Sequence, residues 1–159
     1  MNESHLYKAR IAKHLLGGEA FMPVDEMLKL IEFGKLGIRP DDLPYSFYEI
    51  FSHIRFTQKD ILDYCTLKNY KAPNWPKDYW PQQKAPNSVL EWETLKKYYF
   101  EERDAFIQLI KTENIDLLKP LNIDTDHTLF REAMLVIEHT AYHSGQLLIL
   151  LRKLGLYNA

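Results

Sequence analysis

The sequence predicts an all-α protein: a four-helix bundle with one short extra helix and long connecting loops. Three observations carry this. Four long segments place apolar residues at helical spacing. Each of the four is bounded by a start or a stop signal. No two segments alternate in a way that reads as a strand pair, and there is no internal repeat.

The first helix is expected over residues 5–16, stopped by Gly17-Gly18. A short helix is expected over 25–33, starting just after Pro23 and closing at Gly34, with GIRPDDLP following as a loop. The second main helix opens at SFYE, where Ser46 caps the backbone and Glu49 reaches back in a capping box. It runs to about Thr66 with Phe47, Ile50, Phe51, Ile54, Ile61, Leu62 and Cys65 at helical period. Residues 67–87 are the longest irregular stretch. Its prolines, in APNWPKDYWPQQKAPN, remove backbone donors and fix φ, which excludes a helix interior or a central strand. Trp75, Tyr79 and Trp80 equip this segment to pack onto the bundle as a lid, the preferred reading; an aromatic wall over a substrate pocket is the compatible alternative. The third helix opens at SVLE, a second capping box of Ser88 and Glu91, and runs to about Lys111. After the loop KPLNIDTD the fourth runs from about Thr128 to Leu154, where Gly155 stops it. Its length is about 26 residues, roughly 39 Å.

A length of 159 residues fits one domain with a real core, spanning 1–159. Twenty Lys and Arg stand against 22 Asp and Glu, a net charge of −2. With no basic cluster longer than pairs such as Lys96-Lys97, this argues against a nucleic-acid partner held by charge. Cys65 is the only cysteine, so no intramolecular disulfide forms, as in a reducing compartment. MNESHLYKARIAKHLL lacks the apolar core of a signal peptide. No apolar run approaches the roughly 20 residues that span a bilayer. The expectation is a cytoplasmic protein with neither membrane nor nucleic-acid partners.

One stretch, IEHTAYHSGQLLIL, sets two histidines into an otherwise apolar helix. At 100° per residue, His139 and His143 point the same way, sharing a face with Glu132, Val136, Gln146 and Leu150. Two neutral imidazoles at this spacing can bind one divalent metal, though such pairs are also found as separate core or surface residues. His5 and His14 lie in the first helix. His127 lies about 18 Å along the axis from His139, too far to share an ion. His53 is mid-way along the second helix, as the pair is in the fourth, and bundles build metal sites from side chains on facing helices. Three histidines from two helices leave coordination positions open, the pattern of a catalytic rather than a closed structural site.

At these residues the chain resembles the DinB-like (DinB/YfiT-like) four-helix-bundle proteins, which include bacillithiol-transferase-like members. The resemblance covers most of the chain. It is carried by SFYEIFSHIRFTQKDIL, by WPKDYWP and above all by TLFREAMLVIEHTAYHSGQLLILLRKLG. It implies an up-and-down-type bundle with one long crossover, often a homodimer. It also implies a three-histidine site for a divalent metal: His53 from the second helix, His139 and His143 from the last. Ser144 stands where many relatives carry an apolar residue, pointing away from the histidine face. Gly145 is expected to permit close helix approach.

The resemblance links such a site to thiol transfer or hydrolysis on a small molecule, and the sequence does not choose between them. A low-molecular-weight thiol as cosubstrate fits the first. Zinc or nickel is the expected metal, although imidazole ligands alone also accept iron or copper. A metal-binding bundle active in stress response without turnover is the alternative. Glu49 and Thr57, four residues either side of His53, and Gln146, one turn beyond His143, are candidates to orient a ligand or contact substrate. Glu49 has its capping role as a competing explanation. Tyr142 is expected in core packing, Glu138 flanks His139 without sharing its face, and Cys65 is expected as a buried structural thiol.

Overall fold

The computed structural model describes residues 3–40, 43–121 and 125–158. It contains α1 (Glu3–Leu16), α2 (Val24–Leu30), α3 (Phe47–Thr66), α4 (Val89–Lys111) and α5 (Leu129–Lys153). Among the described residues there is no strand, only an isolated bridge between Pro120 and Thr128. Of the expected loops, positions 41–42 and 122–124 lie outside the described residues.

The four long helices match their expected bounds because local chemistry fixes their ends. Gly17 and Gly18 take φ of 77° and 88°, a conformation side chains disfavour, and α1 stops there. The helix expected over 25–33 is shorter than the sequence indicates. Ile31 leaves helical geometry with ψ 128°, and a 3₁₀ turn follows at Phe33–Lys35. The break lets both Ile31 and Leu36 turn into the core, where they are buried.

The two capping boxes differ. At α3 both halves form: the Glu49 amide donates to Ser46 Oγ (3.2 Å) and the Ser46 amide to Glu49 Oε2 (2.8 Å). At α4 only the serine half forms. The Glu91 carboxylate instead accepts from the amide and side chain of Asn87, from Tyr48 and from Gln83.

α3 packs on α5 and α4, and α1 packs on the same two from the far side. Tyr48 meets Glu91 near the start of α3 and α4, and Arg55 meets Glu102 further along both, so these two helices run parallel. His53 faces the middle of α5, while Tyr64, further along α3, meets Thr125 and His127 ahead of it; α3 and α5 are therefore antiparallel. Lys8 reaches the Thr112 carbonyl past the end of α4, whereas Asp25, beyond α1, pairs with Arg103, so α1 opposes α4. The order is up, down, down, up. The resemblance implies a long crossover, and segment 67–88 is that connection. It joins parallel neighbours, so it must travel back along the 20 residues of α3, about 30 Å.

Its anchors are spread along that path. Asp60 accepts from Tyr70 (2.8 Å) and Tyr79 (2.6 Å). Ser46 Oγ donates to the Lys84 carbonyl at 2.5 Å. A Cβ on Gly37 would stand 2.5 Å from that of Ala85, so only glycine lets the two segments approach so closely. Gly145, expected to serve a close approach, is exposed, and a Cβ there would meet nothing within 4 Å.

The core divides in two. One cluster gathers Phe47, Phe51, Ile54, Trp92, Tyr99 and Leu147 with α2; the other gathers Ile11, Leu15, Ile61, Phe106, Leu129 and Val136. The middle of the α3–α5 seam, between them, is where the histidines lie.

The unequal boxes predict unequal costs. Ser46→Ala removes a buried hydroxyl that caps α3 and also holds the crossover, and should cost about 1–2 kcal/mol. Ser88→Ala should cost about 0.5–1 kcal/mol, because its site is exposed and Glu91 keeps its other partners. Urea denaturation of the two variants measures this, and equal losses would contradict it.

Candidate metal centre

His53, His139 and His143 converge from α3 and α5, with one nitrogen of each lying within 4.8 Å of the others. His53 Nε2 and His139 Nε2 are 3.0 Å apart. The ring centroids are separated by 4.8 Å (His53–His139), 4.7 Å (His53–His143) and 4.5 Å (His139–His143). Four-coordinate ligation at 2.0–2.1 Å sets ligand nitrogens about 3.3 Å apart, so small ring movements bring this cluster to ligating distance.

Two of the three rings are oriented by a partner outside the cluster. His53 Nδ1–H donates to the Tyr79 carbonyl at 2.9 Å, which leaves Nε2 with its lone pair toward the cluster. His143 Nδ1–H donates to Gln146 Oε1 at 2.6 Å, which likewise frees its Nε2. Trp80 stacks on the His53 ring at 4.0 Å and 5°, and Tyr45 stacks on the other face of that indole at 4.1 Å and 12°. His53 is thus fixed by a hydrogen bond at its edge and by an aromatic stack on its face.

Burial favours neutral imidazoles here. It holds the pKa values of His53, His139 and His143 below the ordinary value, that of His139 down to about 3; neighbouring histidines add to the effect at His139 and His53, while the Gln146 bond opposes it at His143. Neutral imidazole is the form that ligates metal.

The other candidates separate. Gln146 contacts a cluster histidine as expected. Glu49 does not: Arg39 and the Ser46 amide occupy its carboxylate. Burial raises the pKa of that carboxyl, but these partners outweigh it and hold the group below the usual range. Thr57 does not bond His53; its hydroxyl is buried and without a partner, as is that of Ser144. Tyr142, expected in the core, is 67% exposed and touches His143 only edge-on. Glu138 is exposed. His127 stands apart from the cluster and lies 3.2 Å from Glu132. Burial pushes the Cys65 thiol up to about 12, so it is no nucleophile at neutral pH.

The crossover aromatics do both things their composition suggests. Trp80 and Tyr79 pack on the bundle and cover His53, while Trp75 is 69% exposed at the outer rim. Sequence reasoning missed two contributions. The Tyr79 carbonyl is backbone and carries no residue signature. Tyr45 lies in a loop read only for its turn residues.

The molecule is thus an all-α bundle of two parallel and two opposed helices, with a largely buried imidazole cluster on its central seam. A family model for the DinB superfamily matches residues 24–147, and the chain belongs to that superfamily. No curated protein and no solved structure matches it. None of its helices is long and apolar enough, among the described residues, to cross a membrane.

The depressed histidines predict a pH dependence in metal-free protein. Unfolded imidazoles take up protons near pH 6.5 while the folded ones stay neutral. The unfolded state therefore binds more protons below that pH, and stability is lost as pH falls from about 6.5 toward 3. Melting curves in EDTA should show a smaller drop between pH 7 and 4.5 for His139→Gln than for wild type. Equal drops would mean that His139 titrates normally.

Proposed function

We propose that this protein is a metal-dependent enzyme acting on a small molecule, by thiol transfer or hydrolysis, with a divalent ion held by His53, His139 and His143. The observation that carries the reading is the convergence of three imidazoles, two buried and one half-buried, two of them already oriented through Nδ1. The donor set fits zinc or nickel. Such an ion supplies Lewis-acid polarisation of a substrate oxygen or sulfur at the positions three ligands leave open.

The chain's own residues have distinct tasks in this reading. The Tyr79 carbonyl and Gln146 hold two ligand rings in the tautomer that presents Nε2. Trp80 excludes water from one face of His53. The Thr57 hydroxyl, one turn beyond His53 on α3 and buried without a partner, has a hydrogen bond to give to a substrate. A low-molecular-weight thiol as cosubstrate, and assembly as a homodimer, belong to the same proposal and rest on the family resemblance.

Elemental analysis of untagged, gel-filtered protein tests the centre. About one metal per chain is expected, lost equally in His53→Ala and His143→Ala. A His53→Ala variant that keeps its metal would break the cross-helix site. Gln146→Leu should retain the ligands yet bind zinc about 10–100-fold more weakly; isothermal titration gives this value, and unchanged affinity would remove Gln146 from the support. Metal-dependent turnover of thiol conjugates or of esters then separates transfer from hydrolysis, and a metal-loaded protein inert to both classes would favour a binding role.

A further inference from the structure

One helical turn from the histidines, the α3–α5 seam opens into a cavity of about 230 Å³. Leu43, Tyr45, Ile50, Gln146, Ile149 and Leu150 line it. Ile50 precedes His53 by one turn on α3, and Gln146 follows His143 by one turn on α5, so the cavity starts about 5 Å along the seam from the imidazoles. Two of its walls are supports of the centre itself. Gln146 holds His143, and Tyr45 stacks on the indole that stacks on His53.

The lining is apolar or aromatic except for Gln146, whose carbonyl oxygen is already engaged. Ile50 and Leu150 are buried and form a floor; Ile149 is 49% exposed and forms the mouth. A dry cavity of about 150 Å³ lined by Leu, Ile and Phe takes benzene. This one is larger and has room for a bicyclic ring. An apolar group seated there gains dispersion contacts with these walls.

We propose that this cavity is the subsite for an apolar group, aryl or compact branched alkyl, of the small molecule that reacts at the histidine layer. The inference rests on the reading of that layer as the reactive centre. It makes the substrate bipartite: a polar, metal-seeking function at the imidazoles, and a hydrocarbon group seated a helical turn away. The seam, rather than the crossover, sets which hydrocarbon is accepted.

Two hydroxamates with the same metal-binding head test it on Zn²⁺-loaded protein. Acetohydroxamate reaches only the centre; 3-phenylpropanohydroxamate carries a ring on a linker that spans one turn. The phenyl compound should bind about tenfold more tightly, the effect of burying much of one ring. That gain should vanish in Ile149→Trp, whose indole fills the mouth. Equal affinities in wild type, or a gain that survives in the variant, would overturn the subsite. Ile149→Phe serves the same comparison if the tryptophan variant melts lower.

Indole added to EDTA-treated protein separates this from failure of the centre. It needs no metal, and should shift the methyl resonances of Ile50, Ile149 and Leu150 saturably. Saturable shifts in a protein that takes up no zinc would overturn the metal centre and with it the bipartite substrate, leaving an apolar binding site. Zinc uptake without saturable shifts would overturn the subsite alone.

Discussion

The packing of α3 against α5 underlies the whole molecule. These antiparallel helices contribute to both apolar clusters, and both turn polar at the same level. A buried polar side chain is costly unless it finds a partner, and a buried charge is costlier still. The seam meets this by keeping its imidazoles neutral and giving two of them acceptors, the Tyr79 carbonyl for His53 and Gln146 Oε1 for His143. The layer that interrupts the core is therefore also the layer that gathers three imidazoles.

The parallel run of α3 and α4 has a consequence for that layer. A tight turn cannot join parallel neighbours, so the chain returns along the whole of α3. Its anchors at Asp60, Ser46 and Gly37 hold the path on the bundle. The return passes the middle of α3, where Tyr79 and Trp80 meet His53. The crossover is thus both a topological necessity and one wall of the centre.

Charged pairs away from the seam hold the surrounding frame. Arg103 binds Asp25 through two nitrogens and joins α4 to α2. Arg55 binds Glu102 and joins α3 to α4. The second ties α3 directly to a helix that carries none of the imidazoles, and the first ties that helix to α2. In each pair one partner is buried and the other half-buried, so desolvation offsets much of the attraction.

Local features were set by the residues alone. Helix ends follow from serine and threonine caps and from glycine stops, so the four long helices were legible almost to the residue. The spacing of His139 and His143 placed them on one face, and Gln146 followed by the same geometry. What lies far apart along the chain needed the tertiary structure. Only the antiparallel seam brings His53, 86 positions from His139, to its level. Only the returning crossover brings a carbonyl and an indole onto His53, and only the turn at Ile31 shortens α2. Glu49 shows the same limit in reverse: it shares a helix face with His53, yet Arg39, from another segment, takes its carboxylate. Helical periodicity says where a side chain points, and packing decides what it meets.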